Sequence, residues 1–364
     1  MKFLHFADLH LDAPFAWAVP DVARRRRQNR RDALKRLVAL AVEERVDAIL
    51  SAGDLFEHDR ITPDTVAFLR ETLGGAGLPV YLAPGNHDWH SPLSPYALVE
   101  WPSNVHVFTT DRLAAVELAP GWTLWGAAHR APANTDGFFT DFSAPGAGIH
   151  LAVAHASERN GLLAQEGGKQ PHAPFDAAEL EASGLVHAFL GHYHLPRDAE
   201  RYTYPGNPDP LEFGEQGDRG AVLATVGTDG SLERERRVVA VSAVHDLLVT
   251  LDGCRHGDDV RSRVEGAVGS LGGSVRITLA GELDPAIHLD LEGLRQLGSH
   301  LDGFVVRTAG LTVAYDLDRI AQQPTVQGAF VRDVRAGVAD PDRQRRIILT
   351  GLRAFEDRTD LEVA

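Results

Sequence analysis

Asp8-Leu9-His10, Gly53-Asp54, Gly85-Asn86-His87-Asp88, His155 and Gly191-His192-Tyr193-His194 are the residues whose types and spacing could do chemistry. Each follows a stretch that reads as a buried strand. Asp8, His10, Asp54, Asn86, His155, His192 and His194 offer two carboxylates, one amide oxygen and four imidazoles as metal ligands, with His87 left over. Such a set, without a thiolate, suits a pair of borderline-hard divalent ions such as manganese or iron. Two ions roughly 3.5–4 Å apart clamp and split phosphate esters. The pattern points to a metal-dependent phosphoesterase.

The motifs differ in weight. Asp-x-His lets a carboxylate and an imidazole reach one ion from a single turn, yet alone it is as readily a capped turn. Gly-Asp after a strand is similarly common; here the glycine permits a tight turn and Asp54 can bridge two ions. Asn86 offers a neutral oxygen that balances charge. His192 and His194 straddle one residue and can reach different ions. Gly-Asn-His-Asp and Gly-His-x-His are hard to justify as simple turns, and all five motifs in this order leave little room for coincidence.

These residues need rigid supports. Residues 2–7, 47–52 and 79–83 read as strands, alternating with helices over 21–44 and 63–73. Thr62 fits as N-cap of the second helix, with Pro63 at its first position. Beyond 105 the apolar period falls to two, and 105–108, 113–118, 122–125, 149–155 and 186–190 read as strands. Residues 221–226 and 232–239 read as a hairpin around Thr228-Asp229-Gly230. The pattern predicts an α/β fold, a two-sheet β-sandwich flanked by helices. In such cores ligands gather at the carboxyl ends of strands, where every motif falls.

Past residue 241 no metal-type motif recurs. Strands are expected at 245–251, 274–279 and 304–307, and helices at 259–268, 289–296 and 341–355. This is a smaller α+β unit, giving a division into 1–240 and 241–364. Gly146-Ala147-Gly148 and Gly167-Gly168 mark loops only.

The 364 residues, 44% hydrophobic and 24% charged, suit one large and one smaller domain with real cores. No signal segment is apparent, and no apolar run approaches the ~18 residues of a membrane span. A lone cysteine, Cys254, excludes an intrachain disulfide, so the expected compartment is cytoplasmic. Formal net charge of −15 argues against a nucleic-acid partner. The charge is uneven, however. Arg24, Arg25, Arg26, Arg27, Arg30 and Arg31 crowd the helix over 21–44, as DNA contacts or as a solvated face.

With these residues in view, the chain resembles the calcineurin-like metallophosphoesterase superfamily over about residues 1–240. The resemblance implies that Asp8, His10, Asp54 and His194 hold a first metal and Asp54, Asn86, His155 and His192 a second. It makes His87 a general acid or transition-state stabiliser facing the scissile phosphate, oriented by Asp88. Residues 3–12, 46–56, Tyr204-Pro205-Gly206-Asn207-Pro208, Phe213-Gly214-Glu215 and Gly220 resemble the SbcD-type DNA repair exonucleases. Residues 241–364 then occupy the place of that family's DNA-capping domain. One departure is Glu57, three positions after Asp54, where some members carry histidine; a role borrowed from that histidine, endonuclease action included, has no matching residue here and stays open.

Other residues have plainer expectations. His5, His129, His150 and His187 flank strands and should pack or hydrogen-bond. Trp89 and Trp101 should pack rather than stack a base, and Cys254 should be inert.

The reading is therefore a two-metal DNA exonuclease of repair or end processing, manganese first, with iron, magnesium or zinc as alternatives. Hydrolysis would proceed by in-line attack on phosphorus, with His87 assisting the leaving oxygen. One rival is a small-molecule phosphodiesterase or phosphatase of the same superfamily; a capping module fits a polymer better. Another is a regulatory or scaffold subunit of an ATPase complex, which the complete ligand set disfavours. No ATP-binding loop is present. The resemblance implies a homodimer working with an SMC-like ATPase. The expected dimer surface is the helix over 63–73 and the segment 92–101, with Leu93, Tyr96, Leu98 and Trp101; the ATPase would engage the region after 241.

Overall fold

The computed structural model describes residues 1–133, 136–160 and 171–361; the Gly167-Gly168 loop lies outside them. The chain divides into two compact units, Met1–Ala243 and Val244–Ala364. Among the described residues no helix is long and apolar enough to cross a membrane.

The first unit is a sandwich of two six-stranded sheets. One sheet runs β12-β11-β1-β2-β3-β4, from β1 (Lys2–Phe6), β2 (Ala48–Ser51), β3 (Val80–Leu82), β4 (Val105–Val107), β11 (Gly220–Val226) and β12 (Leu232–Val238). The other runs β5-β6-β7-β8-β10-β9, from β5 (Ala114–Ala119), β6 (Trp122–Gly126), β7 (Ile149–His155), β8 (His187–Gly191), β9 (Arg197–Asp198) and β10 (Tyr202–Tyr204). β1, β2, β3 and β4 pair parallel, as do β6, β7 and β8, so the ligand-bearing strands of each sheet end at one edge. Parallel strands are buried on both faces and read as continuous apolar runs. Accordingly Phe3 and Leu50 pack between the sheets with Leu151, Val153 and Phe189, whereas Leu4, Phe6 and Ile49 face the helices.

Helix α1 (Pro20–Glu43) starts with proline at its first turn and buries Ala23, Arg26, Arg30, Ala33, Leu34, Leu37 and Ala41, a helical stripe. Helix α2 (Pro63–Gly74) is capped by Thr62, whose side chain accepts from the Thr65 amide at 3.2 Å. Two short helices, α3 (Pro95–Leu98) and α4 (Ala177–Ala182), and the short strands β9 and β10 escape periodicity because each is shorter than two helical turns or a full strand repeat.

The arginine block needs correction. Arg26 and Arg30 belong to the buried stripe rather than to a DNA-facing surface. Arg26 Nη2 donates to the Pro210 carbonyl. Arg30 donates to the carbonyls of Leu9 and, at 2.9 Å, Asp209. Both guanidinium groups stack on Phe15, at 5.2 and 5.4 Å. Burial lowers Arg30 to about 10, which leaves it charged. Arg31 is held by Asp64 at 2.6 Å. Arg24 and Arg25 are exposed and Arg27 half-buried.

The second unit has a three-stranded parallel sheet in the order β13-β14-β15, from β13 (Val244–Thr250), β14 (Ser274–Leu283) and β15 (Gly303–Val313). Parallel neighbours need crossovers, and α5 (Gly257–Val268) and α6 (Leu291–Gln296) supply them. Val260, Val264 and Val268 of α5 cluster with Val275, Ile277 and Leu279 of β14. Helices α7 (Leu317–Gln322), α8 (Val326–Gly337) and α9 (Pro341–Phe355) complete it. The sequence pattern gives no helix over α7 and α8; α7 spans only six residues, and in α8 Gly328, Gly337 and three valines, at 326, 331 and 334, blur the signal.

Arg30→Ala should cost about 2–4 kcal/mol in urea unfolding, because two buried carbonyls lose their donor. Arg24→Ala and Arg25→Ala should stay within about 0.5 kcal/mol, as surface changes do. Equal losses at all three would show that Arg30 is not structural.

Candidate metal centre

The strand ends set out the cluster. Asp8 and His10 follow β1, Asp54 follows β2, and Asn86 follows β3. His155 ends β7, and His192 and His194 follow β8. Asp8, His10 and Asp54 hold left-handed backbone, with φ of 56°, 46° and 53°. Such conformations cost about 1–3 kcal/mol each and persist only where the surroundings fix them. Here hydrogen bonds between turns do so: Asp8 N to Gly53 O at 3.0 Å, His10 N to Asp54 O at 2.9 Å and Leu11 N to Leu55 O at 3.0 Å. Gly85 is required by proximity, since a Cβ there would lie 2.2 Å from Asp54 Oδ1.

The imidazoles are aimed by what their other nitrogen does. His155 donates Nδ1–H to the Ala52 carbonyl at 2.9 Å, leaving a lone pair on Nε2. That lone pair faces Asn86 Oδ1 at 3.0 Å, Asp54 Oδ2 at 3.3 Å and His192 Nδ1 at 3.3 Å. His10 Nδ1 meets Glu57 Oε1 at 2.8 Å, while its buried Nε2 has no protein hydrogen-bond partner. His194 Nδ1 meets Glu215 Oε1 at 2.5 Å. A histidine whose far nitrogen is tied to a carbonyl or carboxylate presents its lone pair to a metal. Acceptors crowded at this spacing need a cation or a proton between them, so the donor set fits divalent ions.

Among the described residues, three overlapping groups bring ligand atoms within 4.8 Å of one another: Asp8, His10 and His194; Asp8, Asp54 and His155; His10, Asp54 and His87. The last places His87 against the cluster. It is also the accessible member, its side chain 46% exposed where Asp54 and His155 are buried. Burial opposes charge on Asp54, but His155, His87 and His10 hold its carboxyl well below the usual range. His155 is raised in turn, because Asp54 outweighs its burial.

Asp88 does not orient His87, as the resemblance implied. Its carboxylate accepts from the amides of Asp54 at 3.0 Å, Leu55 at 2.8 Å and Gly85 at 2.6 Å, and from Tyr96 Oη at 2.7 Å. It pins the turn that carries Asp54. The group that orients His87 is Glu57, whose Oε2 meets His87 Nδ1 at 2.8 Å. Glu57 thus spans His10 and His87. Burial works against its charge, yet these two hydrogen bonds hold it down at about 2. Its place three residues after Asp54, where some members of the resembling branch carry histidine, was the available sign; the backbone there runs beside the Asp8–Leu11 turn, with Glu57 N on the Leu11 carbonyl at 3.0 Å. Tyr96 is buried, which removes it from the expected dimer surface; Leu93 and Leu98 are exposed.

The remaining residues have plain roles. His129 Nε2 donates to the His155 carbonyl at 2.7 Å, so it supports a ligand. His5 packs on Phe189, and His187 meets Thr203 Oγ1 at 3.0 Å. His150 pairs with Trp125 Nε1 at 3.3 Å. Trp89 stacks on His58 and Trp101 on Tyr96.

Comparison with known proteins decides what this arrangement is, because residues 1–196 match the model of the calcineurin-like phosphoesterases. The chain belongs to that family. This calcineurin-like phosphoesterase is 30% identical over 263 residues to the uncharacterized metallophosphoesterase YhaO of Bacillus subtilis, covering 68% of this chain and 61% of that one. It is 29% identical over 255 residues to the DNA double-strand break repair protein Mre11 of Aeropyrum pernix, covering 61% and 57%. With the Mre11 of Haloferax volcanii the figures are 29% over 276 residues, 72% and 58%. The chain thus spans about three fifths of the length of the curated relatives it matches. Among solved structures, TT1561 of Thermus thermophilus aligns over 65% of this chain and 98% of its own, at 14% identity and a TM-score of 0.39. The phosphoesterase is metal-dependent by family, and its candidate ligands are assembled in one place.

In chelated, metal-free protein His87 is pushed up to about 9: burial lowers it, but Asp54 and Glu57 outweigh burial. Its charge therefore adds stability that is full below its ordinary value of 6.5 and is lost as pH rises through about 9. Glu57→Gln should move the His87 midpoint, followed by NMR, down toward 6.5. An unmoved midpoint would dismiss Glu57 as its partner.

Proposed function

We propose that this chain is a two-metal nuclease that hydrolyses DNA phosphodiester bonds, with manganese as its working ion and exonuclease action as its mode. The observation that carries the hydrolytic part is the placing of one accessible imidazole, His87, against a buried cluster of inward-facing ligand atoms. Asp8, His10, Asp54 and His194 would hold one ion, and Asp54, Asn86, His155 and His192 the other. When bound, such ions act as Lewis acids on phosphoryl oxygen and make water nucleophilic near neutral pH. The protein's own part is positional. Glu57 holds His87 by Nδ1, so that Nε2 can carry a proton toward the leaving oxygen. Asp88 keeps Asp54 in its turn.

DNA as substrate is supported by the similarity to proteins named for double-strand break repair and by the SbcD-like wording of the motifs. Of the arginine block, the exposed Arg24 and Arg25 with Arg27 remain as phosphate contacts. Residues after 241 would cap the DNA and engage an SMC-like ATPase.

The test is purified protein with manganese against labelled single- and double-stranded DNA and a generic phosphodiester. DNA shortened from its ends supports the proposal; turnover of the small ester alone would make the chain a small-molecule phosphodiesterase. His87→Ala should keep its metal content and lose about 10²–10⁴-fold in turnover. Loss of metal in that variant would show His87 to be a ligand instead. The exposed Leu93 and Leu98, beside α2, offer apolar surface for a homodimer. Light scattering should find a dimer that Leu93→Glu with Leu98→Glu dissociates; a strict monomer at tens of micromolar refutes it.

A further inference from the structure

Residues 205–219, between β10 and β11, carry no regular secondary structure, yet 205–210 are all buried. Long irregular segments inside compact domains are uncommon and tend to be functional. A buried one must also satisfy its polar groups internally. This one does so around a single carboxylate. Glu215 Oε2 accepts from Asn207 Nδ2 at 2.5 Å, from Leu211 N at 2.5 Å and from Glu212 N at 3.3 Å. Its other oxygen, Oε1, meets His194 Nδ1 at 2.5 Å. The segment also grips the His194 backbone. Arg219 donates to the His194 carbonyl and, at 2.9 Å, to Asn207 Oδ1. Gly206 lies so close that a Cβ would sit 2.5 Å from that same carbonyl, at a φ of 75° that favours glycine.

We propose that Glu215 is a positioning residue for one of the two ions, and that the 205–219 loop is the mould holding its carboxylate against His194. This rests on the two-metal reading above. The argument is one of donors and acceptors. A carboxylate accepts at both oxygens, so it can take Nδ1–H of His194 on one side and three loop N–H groups on the other. His194 is thereby fixed with its proton on Nδ1 and its lone pair on Nε2, the ligating tautomer.

Glutamine cannot do both. With its carbonyl toward His194, its NH₂ confronts the donors of Asn207, Leu211 and Glu212. With the amide turned over, its NH₂ donates to Nδ1 and drives the ring proton onto Nε2, where the metal should be. Either arrangement weakens the ion that His194 holds. His155 is held by the Ala52 carbonyl and faces Asn86 and His192 rather than the 205–219 loop, so the other ion should be spared.

The experiment titrates Mn²⁺ into metal-free wild type and Glu215→Gln, by calorimetry and by EPR. Wild type should bind two ions. The variant should bind one of them about 10–100-fold more weakly, the usual scale for a lost outer-shell partner, and the other within about threefold of wild type. Its EPR should then show isolated rather than coupled manganese at one equivalent per chain. Two ions bound by the variant as in wild type overturn the proposal. Wild type binding fewer than two removes the two-metal reading itself, a different failure. Should the variant not fold, ¹⁵N shifts of His194 in metal-free wild type decide the matter. A ring proton on Nδ1 supports the assignment, and one on Nε2 overturns it.

Discussion

The architecture turns on a crowding of electron-pair donors. Asp54 Oδ2, Asn86 Oδ1 and a ring nitrogen of His192 all sit within 3.3 Å of the His155 Nε2 lone pair, in a region almost closed to water. Electron pairs at that range repel unless a cation lies among them, and in a low-dielectric interior the repulsion is poorly screened. Everything nearby opposes the tendency of these groups to move apart. The left-handed turns are tied to each other by backbone hydrogen bonds, Asp88 gathers three amides to fix one of them, and the Ala52 carbonyl holds His155 from behind. Rigidity is the condition for keeping a ligand set poised rather than collapsed.

The supports are unequal in kind. His10 and His194 lean on carboxylates, Glu57 and Glu215, whereas His155 leans on a neutral carbonyl. A carboxylate partner makes an imidazole a stronger electron donor than a carbonyl does. On the proposed assignment, both carboxylate-backed rings belong to the same ion. The buried Arg30 adds to that side by holding the carbonyl of Leu9, the residue between Asp8 and His10. One half of the centre is thus braced by charge and the other by backbone.

Much of this was legible in the chain. The strands that end in ligands read correctly because parallel, doubly buried segments such as 47–52 are continuous apolar runs, and Thr62-Pro63 announced a helix start. What was not legible depends on partners distant in sequence. Nothing local distinguishes Arg26 and Arg30 from their exposed neighbours; only the carbonyls of Leu9, Asp209 and Pro210, brought in by the fold, make them interior residues. Tyr96 reads as an exposed apolar residue until its hydroxyl is seen on Asp88. Glu57 is readable as a departure from a pattern, but its double engagement is a matter of angles that spacing does not encode. Glu215 lay in a recognisable motif that carried no chemical role.

The pairing of β1 has a consequence for how this protein is made. β1 sits inside its sheet, with β2 on one side and β11 on the other, and Lys2 faces Thr225 across that second boundary. During translation one edge of β1 stays unpaired until residues 220–226 have left the ribosome. At ~5–20 residues per second that interval is on the order of ten to tens of seconds. Throughout it, a strand that is apolar on both faces offers open hydrogen-bonding groups to any other nascent chain. β1 is thus sealed long after it is made, so a chaperone's protection would matter most for this strand.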